Sequence, residues 1–209
     1  MQFLKYLLPI FLLILGCSRT KETNYPNGTI KSRQEFKGGK ENGVSTWFFD
    51  NGKKELEITY KKGVPEGVST RWYYSGQKES QENYVNGKKN GPARKWDLQG
   101  RLLEELYYQN DSLHGPYVQY HENGLVKIEG AYYNGLFDST WTYYNINGMK
   151  VGDGHYNKGN GYQRAYYPNG KPRLYVPYVN NKRNGYELQY DQNGEIVVKT
   201  LYKDDAIVE

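Results

Sequence analysis

The amino-acid sequence predicts an all-β fold, an elongated and twisted antiparallel meander of hairpins that repeat every 24 residues. Three observations support this prediction. Turn dipeptides ending in Gly recur at a nearly constant spacing, two columns of aromatic residues keep the same spacing, and the segments between them alternate apolar with polar residues. Alternation with a period of two is typical of a half-buried strand. Outside the N-terminus no window has the apolar period of a helix, so we expect almost no helix.

The first of these observations is a series of dipeptides whose second residue is Gly. They are Asn27-Gly28, Asn51-Gly52, Ser75-Gly76, Gln99-Gly100, Asn123-Gly124, Asn147-Gly148, Asn169-Gly170 and Asn193-Gly194. Successive pairs are 24 residues apart, except for one step of 22 between Asn147 and Asn169. Because Asn-Gly accommodates the positive φ angles of a type I′ turn, we expect each pair to close a tight hairpin. A longer connection, such as residues 61–67, should join consecutive hairpins.

Two aromatic columns follow the same repeat without exception. They are Phe36, Tyr60, Tyr84, Tyr108, Tyr132, Tyr156, Tyr178 and Tyr202 in the first column, and Phe48, Trp72, Trp96, Tyr120, Tyr144, Tyr166 and Tyr190 in the second. These structural aromatics explain how a chain with a mean hydropathy of −0.92 avoids the composition of a disordered protein. We expect them to form cross-strand ladders on one face of the sheet, with polar residues on the other.

The repeat predicts a single array over residues 27–209 with about fifteen strands. At ~4.8 Å per strand the sheet would extend about 70 Å, and open sheets of this size coil rather than stay flat. One unit is irregular, because the step of 22 is followed by a strand that contains Pro172 and Pro177. Proline lacks the N–H that an interior strand uses. We therefore expect either a kinked, weakened seam over residues 157–178 or a local bulge.

The N-terminus predicts export and a lipid anchor. Residues 1–17 contain one lysine, ten apolar residues from Tyr6 to Leu15, and then Gly16-Cys17. Ten residues are too few for a helix to cross a bilayer, so the segment is typical of a signal peptide. The end of this segment resembles a bacterial lipobox, in which Cys17 carries the lipid; an ordinary signal peptide with an incidental cysteine is the alternative. Residues 18–26 would then be a tether, and no acidic run follows Cys17, so we expect a lipid-anchored, periplasm-facing protein of the bacterial cell envelope.

Two segments carry a family resemblance. Residues 84–91 read YVNGKKNG, and residues 132–148 contain YYNG followed by WTYYNING. This pattern resembles the MORN-repeat variant, and bacterial proteins built from it are identified as YwqK-family antitoxins. The resemblance covers residues 25–203 and implies an elongated sheet used for protein association, and in some proteins for lipid contact. The antitoxin label implies that a partner protein is neutralised by binding.

The sequence does not contain the usual constellations of an enzyme. The only histidines, His114, His121 and His155, lack the spacing of a metal site. Ser112 lies close to His114, but in a segment where Asp, Ser and His are ordinary turn residues. The neighbouring Glu104 and Glu105 must point to opposite faces of a strand, and no phosphate-binding loop is present. We therefore predict a non-enzymatic protein with no catalytic residue, no cofactor and no metal.

The expected partner is another protein, in addition to the membrane reached through Cys17. Paired lysines near the turns are typical of a solvated, aggregation-resistant sheet, and an exported protein meets little nucleic acid, so no nucleic acid is expected. A glycan stays open as a ligand, because Trp47, Phe49 and Trp141 fall outside the columns and would offer rings for stacking. We expect a lipid-anchored, protein-binding scaffold. The alternatives are a toxin-neutralising antitoxin and a carbohydrate- or lipid-binding envelope protein.

Overall fold

The computed structural model describes residues 18–208, so the signal segment and Cys17 lie outside the described residues. One open sheet contains all regular structure of that range, and its strands pair antiparallel in chain order. No helix within residues 18–208 is long and apolar enough to cross a bilayer. The strands are β1 (Ser18–Asn24), β2 (Ile30–Lys37), β3 (Lys40–Phe48), β4 (Lys54–Lys61), β5 (Val64–Trp72), β6 (Lys78–Val85), β7 (Lys88–Lys89), β8 (Gly91–Trp96), β9 (Leu102–Gln109), β10 (Ser112–Leu113), β11 (Gly115–Tyr120), β12 (Val126–Tyr133), β13 (Leu136–Tyr144), β14 (Lys150–Asn157), β15 (Asn160–Tyr166), β16 (Pro172–Val179), β17 (Lys182–Arg183), β18 (Gly185–Tyr190), β19 (Ile196–Lys203) and β20 (Ala206–Ile207).

The predicted all-β meander is confirmed. Strands β7 and β8 are one line interrupted at Asn90, and the pairs β10–β11 and β17–β18 are interrupted at His114 and Asn184 in the same way. Counted as lines, β2 to β19 give the fifteen expected strands, and β1 and β20 are added at the two ends. The repeat therefore predicts the regular part of the sheet completely.

The segment predicted as a tether is largely strand. Residues of β1 pair with β2 from Ser18 opposite Lys37 to Asn24 opposite Ile30. Arg33 of β2 donates to the Glu22 carboxylate across this pair at 2.7 Å. All of β1 is exposed and polar, a composition that suits an edge strand. The sequence of β1 shows no alternation of apolar and polar residues, because this edge strand is held by main-chain hydrogen bonds to one neighbour, β2, and all its residues are exposed.

The two kinds of hairpin connection are exchanged relative to the prediction. At Asn51-Gly52 only the glycine has a positive φ, 80°, and its N–H donates to the Phe49 carbonyl at 3.0 Å. This is a type I turn closed by a glycine bulge, and not a type I′ turn. The type I′ turn lies at the other end of the strands, where Lys62 and Gly63 have φ values of 54° and 83°. The seven-residue connection at 61–67 is therefore wrong, because pairing resumes at Val64.

The strand register places the two aromatic columns on opposite faces. Tyr60 pairs with Gly43 and Leu56 with Trp47, so these residues share one side of the sheet. Phe48 follows Trp47 directly and must point to the other side. The expectation of one aromatic face is wrong. Gly43, which pairs with Tyr60 of the first column, and Phe48 of the second column are five residues apart on one strand, and an odd separation places two residues on opposite faces. We call the side of the first column, from Phe36 to Tyr202, the inner face, and the side of the second column the outer face.

The inner face holds the core. Trp141 is 4% exposed and its ring packs against four neighbours at centroid distances of 5.0 to 6.5 Å. Those neighbours are Tyr117, Tyr132, Phe137 and Tyr156. The Phe137 and Tyr178 rings are 6.3 Å apart, although their strands are three spacings, about 14 Å, apart along a flat sheet. The sheet therefore curls toward this face between β13 and β16.

The irregular unit keeps its hydrogen-bonded ladder. Strands β14 and β15 pair without a shift, and β15 and β16 shift once, next to Tyr166. The same shift occurs at the other glycine-bulge hairpins, for example next to Trp72. Pro177 accepts a bond from the Asn184 N–H at 3.0 Å, and pairing with the next strand is interrupted at this point. Its missing N–H therefore breaks no ladder bond, and the one register shift of this unit is the shift that the other glycine-bulge hairpins also have.

Candidate binding surface

The outer face carries a second set of rings that cross the sheet from β9 to β18. Strand alternation places each of them beside an inner-face residue, and the register pairs His155 directly with Tyr162. We call this set the outer ladder. Its members are Tyr107, His114, Tyr133, His155, Tyr162, Tyr175 and Tyr186.

The rings of the outer ladder contact one another across neighbouring strands. His114 and Tyr133 have centroids 5.1 Å apart, and His155 and Tyr162 are 5.5 Å apart. Tyr162 stacks on Tyr175 at 5.6 Å with an interplanar angle of 29°. Such offset contacts fix the rings in place without covering their outward edges. Five of the seven rings are therefore held in two contacting groups, His114 with Tyr133, and Tyr162 with both His155 and Tyr175.

Cationic side chains lie over several of these rings. Lys158 is 4.8 Å from the Tyr133 centroid, Lys199 is 3.8 Å from that of Tyr186, and the Arg164 guanidinium is 4.9 Å from that of Tyr162. Tyr133 and Tyr186 remain 39% and 41% exposed. Tyrosine and arginine are enriched where proteins contact proteins, since they combine large contact area with polar groups. The outer ladder therefore has the kind of residues that protein interfaces favour.

The second aromatic column, on the same face, has a mainly structural role. The Tyr120 hydroxyl donates to Glu105 at 2.7 Å, and the Arg94 guanidinium donates to the same carboxylate at 2.8 Å. The bond from Arg94 and then that from Tyr120 hold the pKa of Glu105 below its usual range. The carboxylate stays ionised at neutral pH and braces three neighbouring strands.

Asp153 is the most strongly held carboxylate of the outer face. It is 5% exposed and accepts hydrogen bonds from Arg164 at 3.0 Å and from the Tyr166 hydroxyl at 2.9 Å, while Lys150 lies 3.0 Å away. Burial pushes the pKa of Asp153 upward, but the bonds from Lys150, Tyr166 and Arg164 outweigh it and leave the pKa below the usual range. A buried carboxylate with this many donors is fixed in its ionised form.

The three rings expected to offer a ligand face do not form one. Trp141 lies in the core, and its indole N–H donates to the carbonyls of Ala131 and Asp138, both at 3.1 Å. Its assignment to a ligand face is corrected, because a ring that is 4% exposed has no face left for stacking. Trp47 lies half-buried on the inner face, and Phe49 lies in a loop against Tyr74 at 5.2 Å.

The outer ladder was missed because its positions hold a ring in few repeats: Tyr162 and Tyr186 are 24 residues apart and Tyr107 and His155 are 48 apart, but the other repeats have no ring at these positions. Tyr107 and Tyr133 each adjoin a tyrosine of the first column, at Tyr108 and Tyr132. Alternation places such neighbours on opposite faces. The Tyr-Tyr pairs were therefore the signal in the sequence, and they indicate that the sheet is aromatic on both sides here.

The residues weighed for chemistry are engaged elsewhere. Within residues 18–208 no group of three or more His, Cys, Asp or Glu side chains is arranged to hold a metal ion. The imidazole of His114 makes a 3.0 Å hydrogen bond with the Asn134 side chain. Glu104 accepts from the Tyr117 hydroxyl, and Glu105 from that of Tyr120, on opposite faces. His155 makes a 3.3 Å hydrogen bond with the Thr140 hydroxyl, and the two carboxylates brace neighbouring strands.

Comparison with known families identifies the repeat. Four segments match the MORN repeat variant, at residues 41–62, 65–86, 160–180 and 183–204. A search of curated proteins finds no match. Each matched segment contains one glycine-bulge hairpin, as in the first, which runs from β3 through the loop into β4. The chain therefore carries MORN repeat variants at these four positions, two near each end of its sheet.

Proposed function

We propose that this chain is a non-enzymatic repeat scaffold that binds a protein partner through the outer ladder. The observation that carries this proposal is the row of half-exposed rings and cations that crosses the sheet from Tyr107 to Tyr186. A repeat sheet orders these side chains before any partner arrives, so association costs little conformational entropy. The partner gains aromatic contact and hydrogen bonds together.

The size of the outer ladder favours a protein over a small ligand. The ladder crosses eight strand lines, from β9 to β18, which is about 34 Å at the usual strand spacing. This length suits a standard protein interface, which buries about 800 Å² on each partner. Small-molecule sites are instead concave and enclose most of their ligand. An open, braced surface is what a macromolecular partner needs.

Anchoring through Cys17 is part of the proposal. Strand β1 begins at Ser18, so little slack would separate a lipid on Cys17 from the sheet. The array would then be held close to the membrane of the bacterial envelope. Metabolic labelling with palmitate tests this: the wild-type protein should be labelled, and Cys17→Ala should lose the label. Equal labelling of both would remove the anchor from the proposal.

Site-specific photocrosslinking tests the partner. A benzophenone amino acid at position 133 or 186 should yield a protein adduct in intact cells. The same group at Val68, an outer-face residue 48% exposed but outside the outer ladder, is the matched control. Tyr162→Ala should reduce the adducts at both ladder positions.

The alternatives give different results in the same experiment. Adducts from position 68 alone, or none from the ladder, would refute this surface. Glycan-array binding that Tyr162→Ala abolishes, without protein adducts, would replace the proposal by carbohydrate binding. Recovery of a small toxic protein whose growth defect this chain relieves would identify the scaffold as an antitoxin.

A further inference from the structure

The glycine-bulge loops stand in a row along one margin of the sheet. There are eight of them, so seven seams separate consecutive loops. They span residues 25–29, 49–53, 73–77, 97–101, 121–125, 145–149, 167–171 and 191–195. Because each loop belongs to the next hairpin of the meander, a side chain of one loop is able to reach the carbonyl groups of the following one.

Six of the seven seams are bridged in this way. In each, a side-chain N–H or O–H donates to a carbonyl oxygen beside or within the next loop, at distances of 2.7 to 3.3 Å. The bridges run from Tyr25 to Phe48, Asn51 to Tyr74, Tyr73 to Trp96, Arg101 to Glu122, His121 to Tyr144 and Tyr167 to Tyr190. The chain thus fills these seams with its own hydrogen-bond donors.

The seam between residues 145–149 and 167–171 has no such bridge among the described residues. The Asn145 side chain is turned back, where it accepts from the N–H groups of Asn147 and Met149 in its own loop. Met149 is 59% exposed. In the seam after residues 49–53, by contrast, the Lys53 ammonium donates to the Ser75 carbonyl at 2.6 Å. The open seam coincides with the one repeat that is two residues short.

The open seam forms a groove of about 640 Å³. Met149 and Pro168 supply apolar wall, Tyr167 contributes a ring, and Lys150 and Arg173 contribute positive charge. Asp153 also lines it, but its carboxylate is already neutralised by the cations described above. Arg173 is exposed and makes no ion pair within residues 18–208. The groove therefore combines the positive charge of Arg173, which has no ion-pair partner within the described residues, with a seam that has no bridging side-chain donor there.

We propose that this groove binds an acidic peptide segment whose neighbouring side chain carries an amide or hydroxyl donor. The donor would take the place of the missing bridge, as Asn51 and Tyr73 do in their seams. The carboxylate would pair with Arg173. This inference rests on the proposed function, since it locates one anchor of the same protein partner.

The apolar walls favour a peptide over a saccharide. Met149, Val151 and Pro168 offer aliphatic surface on both sides of the groove, which a peptide would cover with its own side chains. The other six seams are closed by amino-acid side chains of the chain itself. A peptide therefore reproduces a contact that the chain already makes six times.

Titration with a defined probe tests the proposal by amide NMR of the protein. The probe is a capped tetrapeptide with valine at both ends and asparagine followed by aspartate in the middle. Shifts should be confined to residues 145–153 and 166–173. Arg173→Gln should weaken binding about tenfold, or about 1.4 kcal/mol. A tetrapeptide with two leucines in the middle should not bind.

A variant that fills the groove tests the proposal more directly. Met149→Lys places a lysine where Lys53 and Lys171 stand in their loops, and Lys171 donates to the Asn193 carbonyl at 3.1 Å. The new side chain should bridge to the Asn169 carbonyl, fill the groove and abolish probe binding. Leu125→Lys, at the same loop position in a bridged seam, is the matched control and should leave probe binding unchanged. A wild-type midpoint of thermal unfolding in both variants shows that loss of binding is not unfolding.

Several outcomes would overturn this inference. They are probe binding to Met149→Lys at wild-type strength, shifts outside the groove, no binding by the wild-type protein, or binding of galacturonate oligomers in place of the peptide. Photocrosslinking at positions 133 and 186 of Met149→Lys separates the two proposals. Ladder adducts that persist in Met149→Lys show that the partner does not need this groove and leave the scaffold standing, whereas the absence of ladder adducts in the wild-type protein refutes the scaffold itself.

Discussion

One repeat position on the inner face is packed in opposite ways in two regions of the sheet. In the first hairpins it holds Ser45, which is fully buried and pairs with Ile58. Four repeats later it holds Trp141, which is 4% exposed and pairs with Gly154. A small residue beside a large one is thus replaced by a large residue beside a glycine. The same backbone accommodates both pairs, because side chains from neighbouring strands pack over the same part of the inner face.

The consequence is that the two regions are stabilised by different forces. Around Ser45 a hydrogen-bonded polar cluster lies beside Ile58, and in it Glu41 accepts from Gln34 at 2.8 Å and from Ser45 at 3.3 Å. Around Trp141 the contacts are aromatic, and burial rather than hydrogen bonding dominates. Hydrogen bonds contribute about 1 kcal/mol each, whereas a buried aromatic ring contributes several times more. The curled region should therefore carry most of the stability of the array.

Trp141→Ala tests this contrast most strongly. Removal of the indole from the centre of the aromatic cluster should lower the free energy of unfolding by about 3 to 5 kcal/mol. Urea unfolding followed by circular dichroism measures the loss. Trp47→Ala, which removes a half-buried indole from the polar region, is the control and should cost clearly less. Equal losses in the two variants would show that the regions do not differ in their source of stability.

Gly130→Ala tests the same cluster from the opposite strand. A Cβ on Gly130 would lie 2.3 Å from the Trp141 ring. The rigid indole must then move, at a cost of roughly 3 kcal/mol, the upper end for overpacking. In the Trp141→Ala background the same change should cost much less, because the clash is gone. Additive losses in the double variant would show that the glycine is not there to accommodate the ring.

The sequence predicts the meander because its period is carried by the backbone, while the exchange of turn types depends on side chains. The spacing of the Gly residues that end the turn dipeptides marks every glycine-bulge reversal of the chain, yet Lys62-Gly63 adopts the type I′ geometry that Asn51-Gly52 was expected to have. The Asn51 side chain accepts from the Lys53 N–H at 3.0 Å and thereby stabilises a glycine bulge instead. A local bond of this kind is not visible in a pattern of apolar and turn residues.

The candidate surface was less predictable than the fold. Periodicity identifies positions that hold the same kind of residue in every repeat, whereas the positions of the outer ladder, such as that of Tyr162 and Tyr186, hold a ring in few repeats. Trp141 was expected at a ligand face for the opposite reason, since it lies outside the columns but fills space left by Gly130 and Gly154. Whether a non-periodic ring is buried depends on the size of its cross-strand neighbours, which requires the register.

Asp153→Asn sharpens the comparison on the outer face. Asp153 has a side chain 7% exposed, whereas Glu57, at the same repeat position in the first region, has one 36% exposed and paired with Lys54. Loss of the charge-assisted bonds should cost about 2 kcal/mol at neutral pH. Glu57→Gln is the matched control and should cost under about 0.5 kcal/mol.

The pH dependence of the same pair follows from the lowered pKa of Asp153. A carboxyl whose folded pKa is depressed contributes stability that is fully present above its unfolded pKa, about 3.9, and is lost as the pH falls through the folded value. The difference between wild-type and Asp153→Asn should therefore be constant above about pH 5 and shrink below about pH 4. A difference that persists unchanged at pH 2 would contradict an ionised, bonded Asp153.

Ser45→Ala should have the smallest effect, although Ser45 is the most completely buried side chain described. The change removes one hydroxyl whose bond to Glu41 is long, at 3.3 Å, so the expected loss is about 0.5 to 1 kcal/mol. The chain itself carries alanine at this repeat position, at Ala93, which is 4% exposed. Ser45→Ala and Trp141→Ala both place an alanine at this repeat position. Urea unfolding of the two variants therefore compares the two regions directly. A loss above about 2 kcal/mol would mean that burial at this position stabilises the sheet whatever the side chain is, and the contrast between a polar and an aromatic region would fail.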